Sequence, residues 1–209
     1  MVGKQASNPQ MLVAIGGRLG LLVITVVTGF AIHALITLPI LLKFVARVSP
    51  IKHYQNMSTA LLTAFTTASS GATLPIALEA IEHKNGVSNR IASFVLSLGT
   101  TVNMNGTALF ECVGAIFIAQ AYGIELTFTQ QFIAVVVSLL SAVGAPGIPM
   151  AGLVVMTIVL KSMGLPLEGV GLILAVERIL DMFRTAINVL GDTSTAVIIA
   201  KSEGETLKI

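Results

Sequence analysis

The chain has 209 residues, 55% hydrophobic and 11% charged, with a formal net charge of +2 and a mean hydropathy of +0.92. Soluble domains carry about 25% charged residues, so the composition points to a membrane protein, and the small, dispersed positive balance excludes a nucleic-acid surface. One cysteine, Cys112, leaves no intramolecular disulfide and no CxxC or Cys/His metal cluster.

Residues 19–42 form the first element, about 24 positions without a charge, where about 20 suffice to cross a bilayer. The run is too long for a signal peptide and has no basic leader or small-residue cleavage site, so it is expected to remain in the mature chain. A basic loop, residues 43–52, leads into "YQNMSTALLTAFTT" and then the small, polar "ASSGATLP". The polar run from Ser69 to Pro75 is predicted to break the helix at membrane depth. Arms of about ten residues rise only about 15 Å, so the segment is predicted to form a re-entrant hairpin that returns by Glu82.

Residues 91–122 form another span, interrupted by "GTTVNMNGTA". The charge-free residues 126–160 exceed one span and carry "VGAPGIPMAG" at their centre, where Pro146 and Pro149 forbid a continuous helix. A second hairpin follows. The last helix is predicted from near Leu167 towards Ala200. The fold class is therefore an all-α polytopic membrane protein, with an inverted repeat of re-entrant helical hairpins and broken transmembrane helices. Paired, Gly/Pro-interrupted segments of this kind point to a transporter site at the midplane, because backbone can leave the helix there only where it lines a cavity.

Interfacial anchoring falls to Phe44, Tyr54, Tyr122 and Phe128, since the chain has no Trp. With the N-terminus set on the cytoplasmic side, Lys4, Arg18, Lys84, Arg90, Lys201 and Lys208 fall inside, and Lys43, Arg47, Lys52 and Lys161 outside.

The last helix carries "DMFRTAINVLGD". At about 100° per residue, Glu177, Arg184, Thr185, Asn188 and Asp192 all fall within about 60° of Asp181. Each ionisable group facing lipid costs at least about 3 kcal/mol, so this stripe must face protein, water or ligand. A salt-bridged seam, with Asp181 and Arg184 paired at i,i+3, is the structural alternative to an ion or substrate pathway. Three carboxylates against one arginine favour cations, sodium or an ammonium group.

"TAFTTASSGATLP", "NMNGTALFE", "VGAPGIPMAG" and "DMFRTAINVLGD", in this order and spacing, resemble the dicarboxylate/amino acid:cation symporter family of glutamate and aspartate transporters. The resemblance covers the chain from about Leu12, and about the C-terminal half of a family member. It implies the fifth and sixth spans, hairpin one, span seven, hairpin two and span eight. It also implies an elevator mechanism, in which residues 56–209 form a transport domain and residues 1–55 an N-terminal segment with a scaffold-like helix. The assembly it implies is a homotrimer when the full scaffold is present, in the cell membrane as a multi-pass protein.

Residue by residue, the resemblance makes Arg184 the partner of a substrate side-chain carboxylate, a role its planar fork suits. Asp181 would receive the substrate ammonium, with Thr185 and Asn188 near the amino acid end. Ser69 and Ser70 match the tip of hairpin one, Ile148 and Gly152 the gate of hairpin two, and Thr107 a further contact. For sodium, one site matches the carbonyls of Gly99, Asn103 and Asn188 with the carboxylate of Asp192. A second matches carbonyls around Thr101 and of Ala142, Val143 and Ala145, with the Met104 sulfur nearby. Hard cations take such oxygen ligands.

Three positions depart from the family pattern. Asn105 stands where an Asp helps hold a third sodium, and neither Ala68 nor Met182 supplies a second arginine, for which Arg178 on the same face is a candidate substitute. Glu111 matches a glutamate tied to proton coupling in some relatives, a buried hydrogen-bonded Glu being the alternative. His33, His53 and His83 lack a metal-site pattern and read as core or interface residues, and no base is placed to activate Ser69 or Ser70 for hydrolysis. The expected function is sodium-coupled symport of glutamate or aspartate, not enzyme catalysis. The alternatives are a truncated, non-transporting membrane module of the family and a symporter for a C4-dicarboxylate or a neutral amino acid.

Overall fold

The computed structural model describes residues 9–209, and every regular element in it is helical. The first element is one long helical run. α1 (Pro9–Ile32) passes through a π-helical turn, His33–Thr37, a short α2 (Leu38–Ile40) and a second π turn, Leu41–Val45. Pro39 has no N–H to close an α-helical bond, and the wider turns on either side absorb the defect without stopping the helix. Among the described residues this single run stands ahead of the first hairpin, in place of the two spans the resemblance implied.

The first hairpin consists of α3 (Pro50–Thr67) and α4 (Ser70–Ala80). Ser49 caps α3, with Pro50 at the first helical position. The chain turns at Ala68, in the left-handed region at φ 51°, and at extended Ser69, whose hydroxyl accepts from the Ala72 amide at 3.2 Å. The break is thus confined to two residues. Pro75, predicted to belong to it, lies inside α4.

α5 (Asn89–Val102) and α6 (Asn105–Ala121) form one span broken at Asn103 and Met104 (ψ 59° and 58°). The second hairpin is α7 (Phe128–Ala142), opened by a Thr127/Gln130 capping box, and α8 (Ala151–Ser162), with residues 143–150 between them. α8 has 12 residues and rises only about 18 Å, short of the roughly 30 Å hydrocarbon core. α9 (Val170–Ser202), 33 residues long, runs through the whole bundle.

Two apolar clusters meet along α9. One joins Leu22, Val26 and Phe30 of α1 to Phe110, Ile118, Met156, Ile173 and Leu180. The other joins the first hairpin and α5 to Val197 and Ala200 at the end of α9. The helix of residues 16–45 therefore shares core contacts with the helices that follow it. Gly16–Val45 and Asn89–Ala121 are long and apolar enough to cross a membrane. Outward-facing side chains such as Leu35, Phe128 and Leu140 are about 70% exposed or more, a surface suited to lipid and not to water.

The packing changes the expected allocation of charge. Asn56 donates to the Lys84 carbonyl at 3.2 Å, the Lys208 amide donates to the Asn85 carbonyl at 2.9 Å, and Leu42 packs with Val197 and Ala200. Lys43, Arg47 and Lys52 therefore lie at the same end as Lys84, Arg90, Lys201 and Lys208. Arg18 shares a groove with Gln120 and Ala121 at the opposite end, where α8 also delivers Lys161. Arg18 and the group Lys84, Arg90, Lys201 and Lys208, placed on one side from sequence, therefore lie at opposite ends. Lys4 lies outside the described residues.

Candidate functional site

The polar stripe of α9 is buried along its length: Glu177, Asp181, Arg184, Thr185, Asn188 and Asp192 are each at most 4% exposed. Arg184 Nη2 donates to Glu177 Oε1 at 2.9 Å and to Asp181 Oδ1 at 2.6 Å, so the i,i+3 pair of the salt-bridged alternative forms. Its guanidinium carbon lies 4.7 Å from the centre of the Phe110 ring, a cation–π contact. Nη1 is buried with no hydrogen-bond partner among the described residues. Buried guanidinium N–H groups are costly to leave unpaired, which marks Nη1 as a position for an incoming acceptor.

Around this group close the tips of both hairpins. A cavity of about 20 Å³ is lined by Ser70, Thr107, Ile148, Gly152, Asp181, Arg184, Thr185 and Asn188 among others. Those are the residues expected to bind substrate, with Ser69 set just behind them. Ser69 Oγ donates to the Gly147 carbonyl at 2.8 Å, and the Gly71 amide donates to the same oxygen at 3.0 Å. Across the cavity the Met150 amide donates to Asp181 Oδ2 at 2.7 Å. Met150 adopts the left-handed region at φ 62° to make this approach. Gly152 packs so closely on the Arg184 guanidinium that a Cβ there would overlap it. A space of about one water admits no amino acid in this arrangement, and Ile148 of the second hairpin is 60% exposed at its edge.

The residues expected to hold sodium fall into two groups beside this cavity. In the first, Asn103 Nδ2 donates to Asp192 Oδ1 at 2.9 Å, and a Cβ on Gly99 would sit 2.6 Å from that oxygen. A second void, of about 10 Å³, lies between Ser70, Thr100, Asp192 and Thr193. Asn188 Oδ1 accepts from the Gly106 amide at 2.7 Å, while its Nδ2 donates to Thr107 Oγ1 and to Met104 Sδ, each at 3.1 Å. In the second group, the Gly144 amide reaches the Thr101 carbonyl at 2.6 Å and the Ala145 amide the Ala142 carbonyl at 3.2 Å. Two carbonyl-bearing segments meet there, and both oxygens accept from backbone amides. Val143 ends α7 with its side chain exposed, so only its backbone oxygen is a candidate ligand.

Several partners were not found from sequence. Gly147 holds the first hairpin's tip, Phe110 covers Arg184, and Asn105 Nδ2 contacts His33 Nε2 at 3.0 Å beneath Gly191, where a Cβ would strike the amide. Only Gly147 had a signal, as the middle glycine of "VGAPGIPMAG". Arg178 is exposed and lines neither cavity, so it does not replace a second arginine. Glu111 is buried, with neither carboxyl oxygen hydrogen-bonded among the described residues, which departs from the hydrogen-bonded alternative.

A sequence profile of the sodium:dicarboxylate symporter family matches residues 7–202. The chain belongs to this family. It is 47% identical over 191 residues to the mouse (Mus musculus) protein named excitatory amino acid transporter 3, covering 91% of this chain and 36% of the relative. Against the human (Homo sapiens) excitatory amino acid transporter 1 it is 46% identical over 194 residues, 93% of this chain and 36% of the relative. Against human excitatory amino acid transporter 5 it is 48% identical over 187 residues, 90% and 33%. The chain thus spans about a third of the length of these curated relatives. Members of the sodium:dicarboxylate symporter family are membrane transporters and not enzymes.

Proposed function

We propose that this chain carries the ligand-holding part of a sodium-coupled symporter for an acidic amino acid, aspartate or glutamate. The observation that carries the reading is the unpartnered Nη1 of Arg184, a residue that with Asp181 lines a cavity closed by two hairpin tips. A substrate side-chain carboxylate answers the free guanidinium edge, and the substrate ammonium answers Asp181. Because Asp181 also holds the Met150 amide, an arriving ammonium group competes with the second hairpin for the same carboxylate. Substrate binding and hairpin closure are thereby linked through one residue. The carboxylate of Asp192 with the carbonyls of Gly99, Asn103 and Asn188 is the proposed first sodium site, and the carbonyls around Thr101 and of Ala142, Val143 and Ala145, with the Met104 sulfur nearby, the second. Their displacement of amide donors couples the ions to hairpin position.

The basic end formed by Lys43, Arg47, Lys52, Lys84, Arg90, Lys201 and Lys208 is the proposed cytoplasmic end, by the excess of Lys and Arg in cytoplasmic loops. The proposed location is the plasma or inner membrane, in an elevator-type transporter whose full-length form is a homotrimer. Thermal shift of the chain in detergent tests the substrate class. Aspartate in sodium should raise the melting temperature, serine and succinate should do so less, and Arg184→Ala should remove the aspartate effect. An equal response to succinate would refute the amino acid reading.

A further inference from the structure

The elbow between the first span and the first hairpin has a construction the transport reading does not use. Leu42, Ala46 and Val48 are buried and anchor its backbone to the cluster at the basic end. Between and beyond them Lys43, Phe44, Arg47, Ile51 and Lys52 all face outward, Phe44 at 68% and Ile51 at 71% exposure. Arg47 sits in the left-handed region at φ 56°, a conformation that costs an arginine free energy and a glycine none. The apolar run Gly16–Val45 ends within this elbow, which sets the three cations at the hydrocarbon boundary. Among the described residues none of the three forms an ion pair, whereas Arg90 at the same end lies 3.8 Å from Glu203.

We propose that residues 43–52 form a binding surface for the phosphate-bearing headgroups of anionic lipids. Lys43, Arg47 and Lys52 supply three cations free of ion pairs among the described residues to the headgroup layer, Lys43 lying 5.8 Å from the centre of the Phe44 ring, and Phe44 and Ile51 enter the acyl boundary beside them. Such interleaving of exposed basic and apolar side chains at a span's end is the pattern that holds anionic lipid. The left-handed Arg47 keeps its guanidinium outward while Ala46 and Val48 on either side remain packed.

The test uses the full chain in nanodiscs of phosphatidylcholine with and without phosphatidylglycerol, with native mass spectrometry to count the lipids retained on release. The wild-type chain should retain phosphatidylglycerol preferentially. The triple variant K43Q/R47Q/K52Q should reduce that preference by at least about tenfold, and Arg90→Gln should leave it unchanged. The double variant K43R/K52R should keep it. Arg47→Gly should lower the preference severalfold while raising the melting temperature in phosphatidylcholine alone, which separates headgroup binding from loss of fold. A stability gain with undiminished preference, an equal effect of Arg90→Gln, or displacement of the lipid by inorganic phosphate would each overturn the proposal.

Discussion

Substituting Gly99 with Ala places a methyl group 2.6 Å from Asp192 Oδ1 and 2.8 Å from its carboxyl carbon, where ordinary contact begins at 3.4 Å. The helix backbone of α5 holds the methyl in place, so the carboxylate must retreat by about 0.8 Å. Lengthening a cation–carboxylate contact from about 2.4 to about 3.2 Å, at an effective dielectric of about 20, costs about 1.7 kcal/mol, or about twentyfold in sodium affinity. The assay is sodium titration of aspartate-induced stabilisation, followed as melting temperature. The midpoint should move about twentyfold upward in Gly99→Ala and stay in place in Gly171→Ala, where a Cβ meets nothing within 4 Å. A sodium midpoint unchanged in Gly99→Ala would refute Asp192 as an ion ligand.

Phe110→Ala removes a fully buried ring and the cation–π contact to Arg184, and should destabilise the chain by about 3–5 kcal/mol in denaturant unfolding. Ser69→Ala removes both the cap of α4 and the bond to the Gly147 carbonyl, about 1–2 kcal/mol, seen as faster amide exchange at the two hairpin tips. Gly191→Ala forces the Asn105 amide off His33 and should lower the melting temperature by several degrees at a cost of about 1–3 kcal/mol.

The hairpins, the broken span and the inward face of the last helix were legible because each rests on a local rule. Pro146 and Pro149 cannot continue a helix, and a stripe from Glu177 to Asp192 cannot face lipid. The tip of the first hairpin was read too widely for the converse reason. Pro75 is accommodated inside α4, and the turn is made by Ala68 in a conformation with no signature in composition. Arg18 was grouped with Lys84, Arg90, Lys201 and Lys208 because loop charges were counted along the chain. The hydrogen bonds from Asn56 and Lys208 that join segments 28 and 123 residues apart are long-range and invisible to that count. Phe110 over Arg184 and His33 beneath Asn105 are likewise products of packing between elements.

The central claim is that acidic amino acid and sodium bind this chain together. Titration calorimetry of aspartate across a series of sodium concentrations, with choline holding ionic strength constant, tests it most directly. Linked binding predicts an affinity that rises by about tenfold or more per tenfold rise in sodium and vanishes in Arg184→Ala. An aspartate affinity independent of sodium would contradict the account.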